Sequence, residues 1–264
     1  MEIKKIIAVD MDGTALPDDN GFTPFSRDYF SSLNKLGYMM VLCSGRPYRA
    51  LERYYRQIGC YGPLVCYNGG HVFHPDDPSF PDLRYNFPYQ EIKAIYDEAK
   101  PFLTSFMYES QSAVHSLRED LFLNHYFPKD GMVATFGEPH RLKGDIYTCL
   151  FECEHSYDTL LKSIIAKHST ILHRHWSDCL YSELYHPLAN KGNAIAHIMK
   201  VYGVKKEDVI AFGDSLNDAE MLRVAGTSFA MKGGKSKQLL AEFPNTEKGA
   251  AESGVAFELM KILG

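Results

Sequence analysis

Several features that would each have pointed to a particular class are missing from this sequence. No apolar run approaches the roughly 18 residues that suggest a membrane span. No cluster of lysine and arginine stands out, and 33 acidic against 28 basic side chains leave a formal charge of −5. That balance argues against nucleic acid as a partner, because such binding depends on basic side chains neutralising phosphates. Cysteines are sparse: the six (Cys43, Cys60, Cys66, Cys149, Cys153, Cys179) are irregularly spaced and read as reduced, mostly buried thiols. Cys149, Cys153, His173, His175 and Cys179 share one third of the chain, but no C-x₂-C pair or paired ligand knuckle supports zinc there. There is also no low-complexity tract and no internal repeat. The N-terminus runs straight into Ile6-Ile7-Ala8-Val9, where Asp10 interrupts any signal-peptide core, so the expected location is cytoplasmic, with no membrane partner.

What the sequence does contain is a chain of 264 residues with 45% hydrophobic content, enough for one large domain or two modest ones. Short apolar runs at residues 6–9, 38–43, 64–67, 209–212 and 227–230 read as buried parallel strands. Between them, three- and four-residue apolar spacing predicts helices over 24–36, 50–58, 191–202 and 218–224. Alternating strands and helices define an α/β class, a Rossmann-like open parallel sheet with helices on both faces. The middle of the chain changes character after the breaker-rich loop at 74–82. Segments at 105–108, 147–153 and 171–176 read as strands with one wet face, and 89–102, 119–126 and 157–168 as helices. The expected organisation is a core of residues 1–82 and 185–264 carrying an inserted α+β domain at 83–184, with proline-containing loops as hinges.

Polar residues gather where the predicted strands end. In open α/β sheets, ligands bind beyond the carboxyl ends of the strands. The first strand ends in Asp10-Met11-Asp12-Gly13-Thr14, the second in Ser44-Gly45-Arg46-Pro47, the third in Asn68-Gly69-Gly70. The fourth ends in Gly213-Asp214-Ser215-Leu216-Asn217-Asp218. Taken alone, Asp-Gly is an ordinary turn, and Asp218 would suit a helix cap. All four at carboxyl ends of strands are hard to assign to turn chemistry. Lys191 opens a helix, where a cation opposes the dipole, a placement that makes sense if it faces an anion. Carboxylates, hydroxyl and amide donors and one cation describe a phosphate site with a hard divalent ion.

These elements, Asp10-Met-Asp-Gly-Thr14, Leu42-Cys-Ser-Gly-Arg-Pro47, Lys191-Gly-Asn and Gly213-Asp-Ser-Leu-Asn-Asp218, resemble the four ordered motifs of haloacid-dehalogenase-type phosphatases. The closest likeness is to the Cof-type subgroup, whose larger cap is inserted between the second and third motifs. The resemblance spans the whole chain and implies roles. Asp10 would be the nucleophile and Asp12 the acid and base. Ser44, Lys191, Asn217 and the amides of Met11 and Gly45 would hold phosphate. Mg²⁺ would be bound by Asp10, Asp214 and the main-chain carbonyl of Asp12, with Asp218 supporting through water. Arg46 and Asn68 would lie near substrate. An all-oxygen, water-retaining site of this type suits magnesium better than zinc. One departure is Ala15, where the family more often has Leu; here Leu16 follows one place later.

The activity implied is hydrolysis of a small phosphorylated metabolite, a sugar phosphate or phosphorylated cofactor, by a monomer or weak homo-oligomer. A sugar phosphomutase of similar architecture and a non-catalytic phosphometabolite sensor remain as alternatives. The retention of Asp10, Asp12, Lys191 and Asp214 speaks for catalysis.

Overall fold

The computed structural model describes residues 3–17, 21–129, 131–168, 171–175 and 180–264; Trp176 and Cys179 lie outside them. In chain order the first elements are β1 (Lys5–Asp10), α1 (Pro24–Lys35), β2 (Tyr38–Cys43), α2 (Tyr48–Gln57), β3 (Leu64–Cys66), β4 (His71–Phe73) and β5 (Leu83–Arg84). Then follow α3 (Tyr89–Ala99), β6 (Ser105–Ser110), β7 (Ala113–Ser116), α4 (Leu121–Tyr126), β8 (Val133–Phe136), β9 (Ile146–Glu152), α5 (Asp158–His168), β10 (Leu172–His175) and β11 (Tyr181–Tyr185). The last are α6 (Lys191–Tyr202), β12 (Val209–Gly213), α7 (Ala219–Val224), β13 (Thr227–Ala230), α8 (Lys237–Glu242) and α9 (Gly254–Leu263).

Two compact units result, one of Met1–Leu83 with Asn190–Gly264 and one of Arg84–Ala189. The second boundary thus falls a few residues beyond the position 184/185 expected from sequence, on the far side of His186-Pro187. The first unit is built on the sheet order β13-β12-β1-β2-β3-β4-β5. Strands β13 to β3 run parallel, and β4 turns back antiparallel on β3. Strand β1 is central because its run Ile6, Ile7, Ala8, Val9 is wholly buried, as a strand covered on both faces must be. Helix α6 contributes Ala194, Ile195 and Ile198 to the core around Ile6, Ala8, Val41 and Ala211. Removing one of these large side chains would cost about 2–5 kcal/mol through lost transfer energy and the cavity left behind. Connections leave β1 toward β2 on one side while β12 lies on the other. Such a switch point opens a crevice at the carboxyl end of β1.

The second unit has a six-stranded sheet, β10-β11-β9-β6-β7-β8. Its pairs are antiparallel apart from β7 with β8. Phe106, Tyr108, Cys149 and Phe151 pack from the sheet against Ile92, Ile95 and Tyr96 of α3 and Leu161, Ile164 and Ile165 of α5. Short strands β7, β8 and β11 escape the sequence reading because their polar and apolar residues alternate too weakly over four or five positions. Among the described residues no helix is long and apolar enough to cross a membrane.

Candidate active site

The parallel register decides which side chains meet. Asp10 pairs in register with Cys43 on β2, so the residue after each strand, Met11 and Ser44, emerges at the same edge. On the other side Val9 pairs with Phe212, one residue before the Gly213 that ends β12. Asp10 therefore stands at the mouth of the crevice, buried, with the second and fourth motifs on its two flanks.

Each loop holds its functional side chain by a local device. Gly13 sits at φ +85°, and a Cβ there would lie 2.7 Å from an Asp214 carboxylate oxygen, so the first loop can approach the fourth only with glycine. Asn190 caps α6, accepting from the Asn193 amide at 2.8 Å, which puts Lys191 on the first turn. Gly69, at φ +96°, brings its backbone against Asn190, where a Cβ would stand 2.4 Å from the carbonyl oxygen. Asn68 itself takes the left-handed conformation, φ 55° and ψ 30°, and its carboxamide oxygen accepts from Asn217 Nδ2 at 2.8 Å. The third and fourth loops are thus tied directly.

Lys191 is fully buried and donates to Oδ1 of Asp10 and, at 2.6 Å, to Oδ1 of Asp218. Oδ2 of Asp218 accepts from the backbone amides of Asp214 and Ser215, both at 3.0 Å. Both oxygens of Asp218 are therefore engaged in fixing Lys191 and the fourth loop. Asp214 accepts from Ser215 Oγ at 3.1 Å and from Thr14 Oγ1 at 3.5 Å. Arg46 grips Asp12 with two parallel bonds, Nε to Oδ2 at 2.9 Å and Nη2 to Oδ1 at 2.6 Å. That bidentate pair fixes the carboxylate plane while Asp12 stays partly exposed. Ser44 Oγ accepts from the Arg46 amide at 3.1 Å, joining the hydroxyl to the same turn.

The electrostatics are unbalanced in one direction. Asp10, Asp214 and Asp218 offer carboxylate oxygens within 4.8 Å of one another. Three carboxylates against the ammonium of Lys191, which bonds two of them, give −3 + 1 = −2 when all are ionised, with Lys235 also acting on Asp214. Burial, then repulsion from Asp218, pushes the Asp10 carboxyl well above its ordinary range, against the pull of Lys191. Asp214 is raised for the same two reasons in the same order. Burial lowers Lys191, but Asp10 and Asp218 outweigh it and the net direction is upward. Oδ2 of Asp10 is buried with no hydrogen-bond partner among the described residues. An orphaned carboxylate oxygen beside two further carboxylates, all hard oxygen donors, is a donor set that fits a hard divalent cation.

Of the residues selected from sequence, these contacts join Asp10, Lys191, Asp218 and Asp214 in one set, Asp12 with Arg46 in a second and Asn68 with Asn217 in a third. Met11, Ser44 and Gly45 follow in the same loops. Thr14 and Ser215, both bonded to Asp214, were not singled out from sequence as site residues. The signal for Ser215 was its place three residues before Asp218, the spacing of a capping box, which is present here.

Residues 7–259 match the haloacid dehalogenase-like hydrolase family. The chain is 30% identical over 240 residues to the 5-amino-6-(5-phospho-D-ribitylamino)uracil phosphatase YitU of Bacillus subtilis, with 89% of each chain covered. A haloacid dehalogenase-like hydrolase from Bacteroides thetaiotaomicron has the same fold, with a TM-score of 0.84 and 21% identity over 98% of this chain and 99% of that one. A subclass IIB sugar phosphatase of the superfamily aligns with a TM-score of 0.79 at 17% identity, covering 98% of both chains. The chain belongs to the haloacid dehalogenase-like hydrolases and is a phosphatase of their Cof-type branch.

Proposed function

We propose that the protein is a Mg²⁺-dependent phosphatase that hydrolyses a small phosphorylated metabolite through a phosphoryl-enzyme on Asp10. One observation carries this reading: Asp10 ends the central strand with Lys191 on one oxygen and its other oxygen buried without a partner among the described residues. A carboxylate held in this way is oriented for attack rather than absorbed into a structural network.

Asp10 forms the new O–P bond while the bond from phosphorus to the leaving oxygen breaks, and Asp12 gives that oxygen a proton. In the second half a water attacks the same phosphorus, Asp12 takes its proton, and the bond to Asp10 breaks to release phosphate. For this, Asp12 exchanges one of its two bonds to Arg46 for the leaving oxygen. Lys191 and Ser44, with Asn217 and the amides of Met11 and Gly45, hold the phosphoryl oxygens. Asp10, Asp214 and the Asp12 carbonyl would hold Mg²⁺, with Asp218 in support; the ion supplies charge neutralisation that lets an anionic nucleophile approach an anionic phosphate. Asp218, already bound at both oxygens, acts mainly by positioning Lys191.

The unit Arg84–Ala189 is assigned the choice of leaving group. Phosphoribityl compounds, as named for the Bacillus relative, and sugar phosphates are the first classes to test. The experiment is phosphate release from a panel of both, with Mg²⁺ and with chelator, beside the Asp10→Asn variant. Metal-dependent release that vanishes in the variant supports the reading. Isomerised sugar phosphate without free phosphate would replace it with a mutase, and binding without turnover would replace it with a sensor.

A further inference from the structure

The second unit carries a cluster that the phosphatase reading does not use. His173 and His175 stand two residues apart on the edge strand β10, so their side chains lie on one face. Asp158, the first residue of α5, meets both: its Oδ1 lies 3.0 Å from Nε2 of His173 and 2.6 Å from Nε2 of His175. The two rings stand nearly perpendicular, 89°, with centroids 5.5 Å apart. A third imidazole, His155, sets its ring 4.8 Å from that of His175.

We propose that Asp158, His173 and His175 form a binding site for a borderline divalent cation of the Zn²⁺ type, which clamps the edge strand to the first turn of α5. Two nitrogens and one oxygen within 4.8 Å of one another are the donors such ions prefer, whereas Mg²⁺ prefers oxygen alone. Metal–ligand distances near 2.1 Å in a tetrahedron place neighbouring donor atoms about 3.4 Å apart. The same geometry puts the centres of two bound imidazoles about 5 Å apart, close to the spacing observed. The donor atoms need to part by less than about 1 Å to admit the ion, well within side-chain adjustment.

The surroundings suit a ligand. Nδ1 of His175 lies 2.6 Å from Ser182 Oγ on β11. A hydroxyl donates to that nitrogen when Nε2 carries the proton, and accepts from it when Nε2 faces a metal. Asp158 and His175 are only partly buried, which leaves an entry path. One group opposes the ion: Lys162 donates to the other oxygen of Asp158 at 2.7 Å. Its side chain is 61% exposed and can turn into solvent. The sequence associates these histidines with Cys149 and Cys153; the structure gives them a carboxylate instead.

The test is calorimetric titration of Zn²⁺ into the chelator-stripped full chain, in excess Mg²⁺ so that the oxygen-rich carboxylate site is occupied. A single tight Zn²⁺ site is expected, present in Asp214→Asn and weakened about a hundredfold or more in His173→Ala, since even partners of ligands cost 10–100-fold. Ser182→Ala should weaken it roughly tenfold and Lys162→Met should tighten it. Co²⁺ in its place should give the intense visible bands of a tetrahedral site, and these should be lost in Asp158→Asn, which keeps the side-chain shape should His173→Ala fail to fold. Absence of tight Zn²⁺ binding, equal affinity in wild type and His173→Ala, or loss of the site in Asp214→Asn would each overturn the proposal.

Discussion

The two units place their buried polar groups differently. In the first, the bodies of β1, β2 and β12 are almost uninterrupted aliphatic and methionine runs, and the polar side chains wait for the strand ends: Asp10, Ser44, Asp214. In the second, polar groups sit within the strands: Ser105 and Glu109 on β6, His115 on β7, Thr148 on β9, Ser182 and Glu183 on β11, all buried. The carboxyls diverge in the same way. Asp10 and Asp214 are pushed up by burial and then by repulsion from Asp218, while Asp158 is held well below its usual range by Lys162 and then His173, against a smaller effect of burial. A site at strand tips can concentrate uncompensated charge because the sheet beneath it is apolar and rigid. Polar groups inside a sheet are instead mostly compensated one by one, as His115 is by Thr135 and Gly137, while Thr148 Oγ1 and Ser116 Oγ are buried without a partner among the described residues.

That contrast can be broken most severely at its centre. Asp10→Asn should lower kcat on the order of 10⁴-fold or more while leaving the fold intact, because it removes the attacking oxygen and little packing. A steady-state assay with circular dichroism checks this, and retention of most activity would remove Asp10 from the role of nucleophile. Lys191→Met should reduce kcat/KM about 10²- to 10³-fold. It should also cost stability, about 3–5 kcal/mol by the precedent of broken buried pairs, since Asp10 and Asp218 lose their buried counter-charge. Urea denaturation measures that loss.

Asp214→Asn sharpens the contrast in the opposite sense. The raised carboxyls mean that the metal-free protein loses stability as pH rises through their folded values, so removing one charge should stabilise it at neutral pH. The gain in Tm would be a few degrees, roughly 2–4 °C per kcal/mol relieved. In wild type, Mg²⁺ at a hundredfold above Kd should add about 2.7 kcal/mol, and the variant should show little of that response. An unchanged Mg²⁺ titration of Tm would take Asp214 out of the metal site.

The smallest effect is expected in the second unit. His115 is buried between Thr135 Oγ1 at 3.0 Å and the Gly137 carbonyl at 2.9 Å, and burial lowers its pKa, with His140 adding to the shift. The fold therefore favours the neutral ring. Its contribution is present above the unfolded value near 6.5 and is lost as pH falls through the lowered folded value. Between pH 7 and 5, wild type should lose about 1 kcal/mol or less relative to His115→Gln. Denaturation curves at the two pH values decide it; parallel losses would mean that the histidine titrates equally in both states.

Sequence pattern carried far in the first unit and less far in the second, for one reason. Strands buried on both faces, such as residues 6–9 and 209–212, announce themselves as short aliphatic runs, and the motif residues follow each run directly. Chain order alone thus gathered Asp10, Ser44, Lys191 and Asp214. Strands with polar residues inside them, such as β7 and β8, lack that signature, and their partners are set by pairing across the sheet.

The fold class and the parallel strands of the first unit are legible in the sequence, because local periodicity and turn chemistry act between near neighbours, and the carboxylates are picked out through the resemblance of the motifs that follow those strands. Which oxygen faces which cation is set by packing across the fold. It placed Lys191 between Asp10 and Asp218, residues 181 and 27 positions away along the chain, and put Arg46 on Asp12. It also turned His173 and His175 onto Asp158. Charges interact through space with strengths set by distance and burial, and neither quantity exists until the chain has packed.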